Sequence, residues 1–144
     1  MKTIIFAALI ATIAFSGCKK DNTSPANTAD ISINGVKTNF TLMKYLDVSS
    51  TYNISNYGAE ANSNTIEIVF VNPVIGDLDF NYNNHIEIII GDIDYVSKNG
   101  SGKISITKMS GTSISGTFSG TFTTNNTEIV ISGNFTAEQI VQTL

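Results

Sequence analysis

The sequence contains no arginine and no tryptophan, and it has only one cysteine, one histidine and two prolines among 144 residues. Arginine is the side chain best suited to guanine edges and phosphate pairs, and the formal charge is −4 at pH 7. A nucleic-acid partner is therefore not expected. One cysteine and one histidine, Cys18 and His85, are too few for a zinc site of Cys and His ligands. They also leave little material for nucleophilic catalysis. His85 follows Asn83-Asn84 and precedes an isoleucine-rich stretch, with no nucleophile and orienting acid at a known spacing, so it reads as a turn residue. Leucine is scarce, at five residues, which disfavours a helical bundle or coiled coil. Charged residues make up 14% of the chain, too few for a solvated disordered tail. The glycine-rich stretches match neither a P-loop nor a dinucleotide fingerprint.

Isoleucine and valine together number 29, and serine, threonine and asparagine together number 48. Branched side chains suit a pleated, half-buried surface, and small polar residues suit the turns between strands. Two-residue alternation runs through most of the chain. Ile31 and Ile33 alternate up to Asn34-Gly35, the strongest short hairpin signal, because both central residues of a type I′ turn need positive φ. Folding there pairs Ile33 with Val36 and Ile31 with Thr38, and puts Ile31, Ile33, Val36, Phe40 and Leu42 on one face. A short strand is expected around residues 52–59. Ile66, Ile68 and Phe70 form another, ended by Asn72-Pro73. In residues 76–82, Leu78, Phe80 and Tyr82 share a side. Residues 85–96 form the longest β stretch, with a bulge at Gly91-Asp92 to reconcile its change of parity. Residues 99–102 and Ser110-Gly111 make turns. Ile114, Gly116, Phe118, Gly120 and Phe122 then share a face, as do Ile129, Ile131, Gly133 and Phe135 beyond Asn125-Asn126. This mixture of rings and glycines suits an inner face that must curve. After Phe135, Thr136 and Gln139 fit a capping box, leaving a short helix or a strand open. The pattern predicts an all-β, antiparallel β-sandwich or flattened β-barrel of about eight or nine short strands, following a signal peptide.

The amino terminus carries that export signal. Met1-Lys2 is a short basic start, and residues 3–15 are apolar. A helix of that length rises about 20 Å, too little to cross a hydrocarbon core of about 30 Å. It reads as a signal peptide over residues 1–17. Residues 15–18, Phe-Ser-Gly-Cys, resemble the lipobox of bacterial lipoproteins, with Phe15 where an aliphatic residue is usual. The resemblance implies cleavage before Cys18, diacylglycerol on its sulfur and a fatty acid such as palmitate on its amine. Acyl chains contribute about 0.8 kcal/mol per buried methylene, so they hold a protein on a membrane unaided. Residues 18–29 then form the lipidated cysteine and a flexible tether containing Pro25, and residues 30–144 form a single β domain.

Within that domain, Asn34-Gly35, Asn72-Pro73 with Gly76, residues 102–108 (GKISITK), 114–118 (ISGTF) and 131–135 (ISGNF) resemble the small all-β lipoproteins of unknown function in Bacteroidota-type bacteria. The resemblance covers roughly residues 30–136. It implies a cell-envelope location at the outer membrane, with the periplasmic or surface side open, and it points to no reaction or cofactor.

Carboxylates are the remaining source of chemistry. Asp77, Asp79 and Asn81 begin like an EF-hand loop, but Tyr82 stands where that loop needs glycine and Ile88 where it needs glutamate. They are weak metal candidates only. Tyr45, Tyr52 and Tyr57 form a candidate exposed binding patch, and residues 81–85 a second one. The expected function is a non-enzymatic binding or interaction module, monomeric, tethered to the membrane through Cys18, with a protein or glycan ligand. The alternatives are an envelope glycan hydrolase using pairs among Asp77, Asp79, Asp92 and Asp94, or a small lipid-binding barrel with a roomy interior.

Overall fold

Alternation of isoleucine with polar residues gives strands throughout the computed structural model, which describes residues 27–56 and 64–140. The expected signal peptide, Cys18 and Tyr57 lie outside the described residues. The strands are β1 (Thr28–Ile33), β2 (Val36–Thr41), β3 (Met43–Val48), β4 (Thr51–Asn56), β5 (Thr65–Val71), β6 (Gly76–Asp79), β7 (His85–Ile90), β8 (Ile93–Met109), β9 (Ser113–Thr124) and β10 (Thr127–Gln139). No helix occurs among the described residues.

The strand pairing returns on itself. From β3 it runs through β4, β5, β7, β8 and β9 to β10, and β10 pairs back onto β3. All contacts are antiparallel except this seam, where Glu138 and Gln139 run parallel to Lys44 and Tyr45. The Ile140 amide donates to the Tyr45 carbonyl at 2.9 Å, and Lys44 Nζ meets Glu138 Oε2 at 2.9 Å. Two flaps leave the ring: the β1–β2 hairpin lies along β10, and β6 lies along the second half of β8. The architecture is an all-β flattened barrel around one core.

The core is built from the alternating residues. Ile66, Ile68 and Phe70 of β5, Ile86 and Ile88 of β7, and Ile104 and Ile106 of β8 are all buried. They meet Ile114, Phe118 and Phe122 of β9 and Ile131 and Phe135 of β10. Glycine makes room for the rings. Phe118 stands opposite Gly133, and Phe135 opposite Gly116. A Cβ at Gly133 would lie 2.6 Å from Phe118 Cζ, and one at Gly116 would lie 2.7 Å from Phe135 Cζ. Gly102 faces Gly120 across β8 and β9, and the Phe80 ring covers both, with Cε2 at 2.6 and 2.4 Å from their virtual Cβ positions. Each ring lies flat against backbone, so the long strands can curve inward around it.

The Asn34-Gly35 hairpin has the expected register, Ile33 with Val36 and Ile31 with Thr38, and both turn residues have positive φ. Several other expectations are corrected. Val36 and Leu42 are exposed at 67% and 60%, because the hairpin tip overhangs the core and Leu42 sits in a left-handed corner at φ 58°. The irregular region holds a full hairpin, β3–β4, turned by Ser49 and Ser50 at φ 53° and 67°. Gly91-Asp92 is a two-residue turn between β7 and β8 with Ile90 opposite Ile93, not a bulge, which raises the count to ten strands. The bulge lies instead at residues 98–101, where a turn was expected, between the pairs Ser97–Phe122 and Gly102–Gly120. The stretch after Phe135 continues as strand, because Ala137 is buried opposite Ile114 and the following residues form the seam. Tyr82 leaves the face of Leu78 and Phe80, since β6 ends at Asp79 and the chain turns after Phe80.

Replacing Phe118 by Ala should lower stability by about 3–5 kcal/mol in urea unfolding, and Gly133→Ala by about 1–3 kcal/mol through overpacking against the same ring. Ser119→Ala, on the exposed face of β9, should stay within about 0.5 kcal/mol. Equal losses at Phe118 and Ser119 would reverse the face assignment.

Candidate functional site

Phe80 is held at both ends of its backbone: its N–H donates to the Gly102 carbonyl and its carbonyl accepts from Gly100, both at 2.8 Å. The chain then reverses through residues 81–84, and asparagine side chains organise the reversal. Asn81 Oδ1 accepts from the amides of Asn83 at 2.8 Å and Asn84 at 3.0 Å. Its Nδ2 donates to the Asp79 carbonyl at 2.9 Å. The Asn81 amide donates to the Asn84 carbonyl at 2.9 Å, and Asn84 Oδ1 accepts from the Val71 amide at 3.2 Å, which ties the loop to β5. Asparagine suits such turns because its amide substitutes for a backbone partner. With every neighbour tied down, Tyr82 projects outward and is 89% exposed.

Beside Tyr82 lies an open groove of about 570 Å³. Register assembles it from four strands. Thr51 of β4 faces Val71 of β5, Val69 faces His85 of β7, and Val96 of β8 lies across from Glu87 one step along β7. Val69, Val71 and Val96 supply an apolar floor, while Thr51, Asn83, His85 and Asn99 supply a polar rim. Among the described residues that line it, none is a carboxylate or a lysine. The groove carries the Tyr82 ring together with the amides of Asn81, Asn83 and Asn99.

No protein-family model matches the chain, and no curated protein is significantly similar to it. The site therefore rests on its geometry.

The tyrosine patch expected from sequence is not an exposed one. Tyr45 is 3% exposed and Tyr52 half-buried. They stack inside the barrel, Tyr45 on Tyr52 at 5.6 Å and Tyr52 on Phe70 at 5.7 Å between ring centroids. Burial raises the pKa of both phenols, with Asp47 adding to the effect. Residues 81–85, the second expected patch, are the ones that frame the groove.

Asp77 and Asp79 do not converge with Asp92 and Asp94. Asp77 of β6 is engaged by Lys103 Nζ and, at 2.6 Å, by the Ser105 hydroxyl. Asn81 spends its oxygen on the loop, so Asp77, Asp79 and Asn81 form no common pocket for a cation. Among the described residues no three His, Cys, Asp or Glu side chains gather as metal ligands. The aspartate pairs stand at opposite ends of β8. Asp77 pairs with Ser105, which faces Thr117 of β9, whereas Val96, two residues beyond Asp94, faces Thr123. Six residues of extended strand span about 20 Å, and a glycosidase needs its two carboxyls within about 10 Å.

A second open groove, of about 660 Å³, crosses the outer face of β8, β9, β10 and β1. Ser32, Ser132, Ser119 and Lys103 form one cross-strand row over it, and Asp30, Asn134, Thr117 and Ser105 form another. Asn39 Nδ2 donates to Asp30 Oδ1 at 2.6 Å. At its edge the hydrogen bonds from Lys103 and Ser105 hold the Asp77 carboxyl below its ordinary value, and Asp77 holds the Lys103 ammonium above its own. The stabilisation from Asp77 is thus complete above the ordinary carboxylate range and is lost as pH falls through the lowered value. In a carboxyl-carbon NMR titration, Lys103→Met should move the Asp77 midpoint up towards the ordinary value. An unmoved midpoint would disprove the pairing in solution.

Proposed function

We propose that this protein is a lipid-anchored lipoprotein of the cell envelope, held at the outer membrane through acyl chains on Cys18, and that its β domain is a non-catalytic module that binds glycan. The observation that carries the reading is Tyr82, held out by a knitted loop over an open groove. A pyranose has an apolar C–H face and a rim of hydroxyls. The Tyr82 ring and the valine floor match the first, and the amides and hydroxyls of Thr51, Asn83 and Asn99 match the second. The lack of a carboxylate or lysine in the described lining favours uncharged sugar units. A filled interior, with Phe70, Phe80, Phe122 and Phe135 fully buried, speaks for this reading over a lipid carrier. The separation of Asp77 and Asp79 from Asp92 and Asp94, with the Asp77 carboxyl already engaged by Lys103 and Ser105, speaks for it over a hydrolase.

Two measurements test the two halves. Cells given radioactive fatty acid should label the native chain and not Cys18→Ser; equal labelling, or none in the native chain, disproves the anchor. For the ligand, the chain should sediment with purified peptidoglycan or delipidated outer-membrane polysaccharide. Tyr82→Ala should weaken that retention about tenfold, the equivalent of losing one stacked ring, without changing thermal unfolding. Retention that is unchanged in Tyr82→Ala, or absent from the native chain, would overturn the glycan reading.

A further inference from the structure

Among the described residues two strands have an open edge, β2 and β6, and they differ in how they are guarded. β6 has four residues, of which two are Asp77 and Asp79, and short, charged edges resist pairing. β2 has six residues, contains no proline, and carries Lys37 as its one charge. Its hairpin fixes which backbone groups face outward. In a two-residue loop the flanking pair, Ile33 and Val36, exchanges both hydrogen bonds, so Lys37, Asn39 and Thr41 direct N–H and C=O away from β1. Among the described residues no strand pairs with that edge.

We propose that β2 pairs with β2 of a second copy, antiparallel about a two-fold axis at Asn39. The register follows from the residues. Centred on Asn39, it sets Asn39 against Asn39 and Lys37 against Thr41, so every outward-directed group of one copy meets one of the other. The same register brings Val36 of one copy to the end of the pairing where Leu42 of the other, the residue after β2, turns away from the strand. These are the two large aliphatic side chains at the ends of this edge that the fold leaves exposed, at 67% and 60%. No charge faces a like charge, because Lys37 lies against Thr41. A displaced register leaves outward groups unpaired. One strand pair buries less than the roughly 1,200 Å² of a stable complex, so the dimer is weak in dilute solution and is best trapped covalently. This pairing is independent of the glycan reading, since the Tyr82 groove lies on other strands.

The test is oxidative cross-linking of the full chain in intact cells. Partners in a hydrogen-bonded antiparallel pair have Cα atoms about 5.5 Å apart, within disulfide reach. Asn39→Cys should give a reducible dimer. The native sequence, which holds only Cys18, and Lys108→Cys, at an exposed position on another strand, should not. Adding Thr41→Pro to Asn39→Cys removes an outward N–H that the monomer does not use, and should cut the dimer at least about tenfold with thermal unfolding unchanged. If Thr41→Pro unfolds the domain, Val36→Asp at its exposed position gives the same reading. Absence of the Asn39→Cys dimer, an equal yield from Lys108→Cys, or a yield insensitive to both Thr41→Pro and Val36→Asp overturns the pairing.

Discussion

Phe80 lying across Gly102 and Gly120 is the contact on which both the barrel and its candidate site depend. The ring fills space that two missing side chains leave between β8 and β9. Burial of such a ring stabilises by about 2–3 kcal/mol, and here it also fixes a backbone position. The bulge at residues 98–101 exists to let Gly100 and Gly102 reach the Phe80 peptide groups. The loop that displays Tyr82 begins at the next residue. A core contact and a surface display are therefore one continuous piece of chain, and Tyr82, the most exposed aromatic side chain among the described residues, follows two positions after Phe80, which is 1% exposed.

Much of this was legible in the residues, for stated reasons. Ile66, Ile68 and Phe70, or Ile114 through Phe135, alternate without interruption, and burial of one face leaves no other register. Asn34-Gly35 and Asn125-Asn126 announce their turns because asparagine and glycine tolerate positive φ. Ser49 and Ser50 adopt the same conformation without that propensity, so the β3–β4 hairpin was hidden. Gly91-Asp92 was ambiguous in a different way: a bulge and a two-residue turn produce the same change of parity, and only the partner of Ile93 separates them.

The site was half legible. Residues 81–85 stand out as an asparagine-rich turn, but nothing in sequence says that Val69, Val71 and Val96 will come to lie beside it. Those valines are outward-facing residues of two strands, β5 and β8, and outward apolar residues acquire meaning only once the register is known. Tyr45 and Tyr52 failed as a surface patch for the complementary reason. A tyrosine in an irregular stretch carries no sign of which side it takes, and here Tyr45 stacks on Tyr52 and Tyr52 on Phe70.

The seam has a consequence in time. The ring closes where the last strand meets β3, and the bridging side chains, Lys44 and Glu138, are 94 residues apart in the chain. Loop closure over such a span slows folding, and the reward comes only when the final residues arrive. A chain emerging from its amino terminus can form the β1–β2, β3–β4 and β4–β5 pairs as it appears, yet β1 and β3 both wait for β10. Until then the apolar inner face of those strands stays uncovered. Late closure thus leaves the first strands paired with one another before the core they cover is complete.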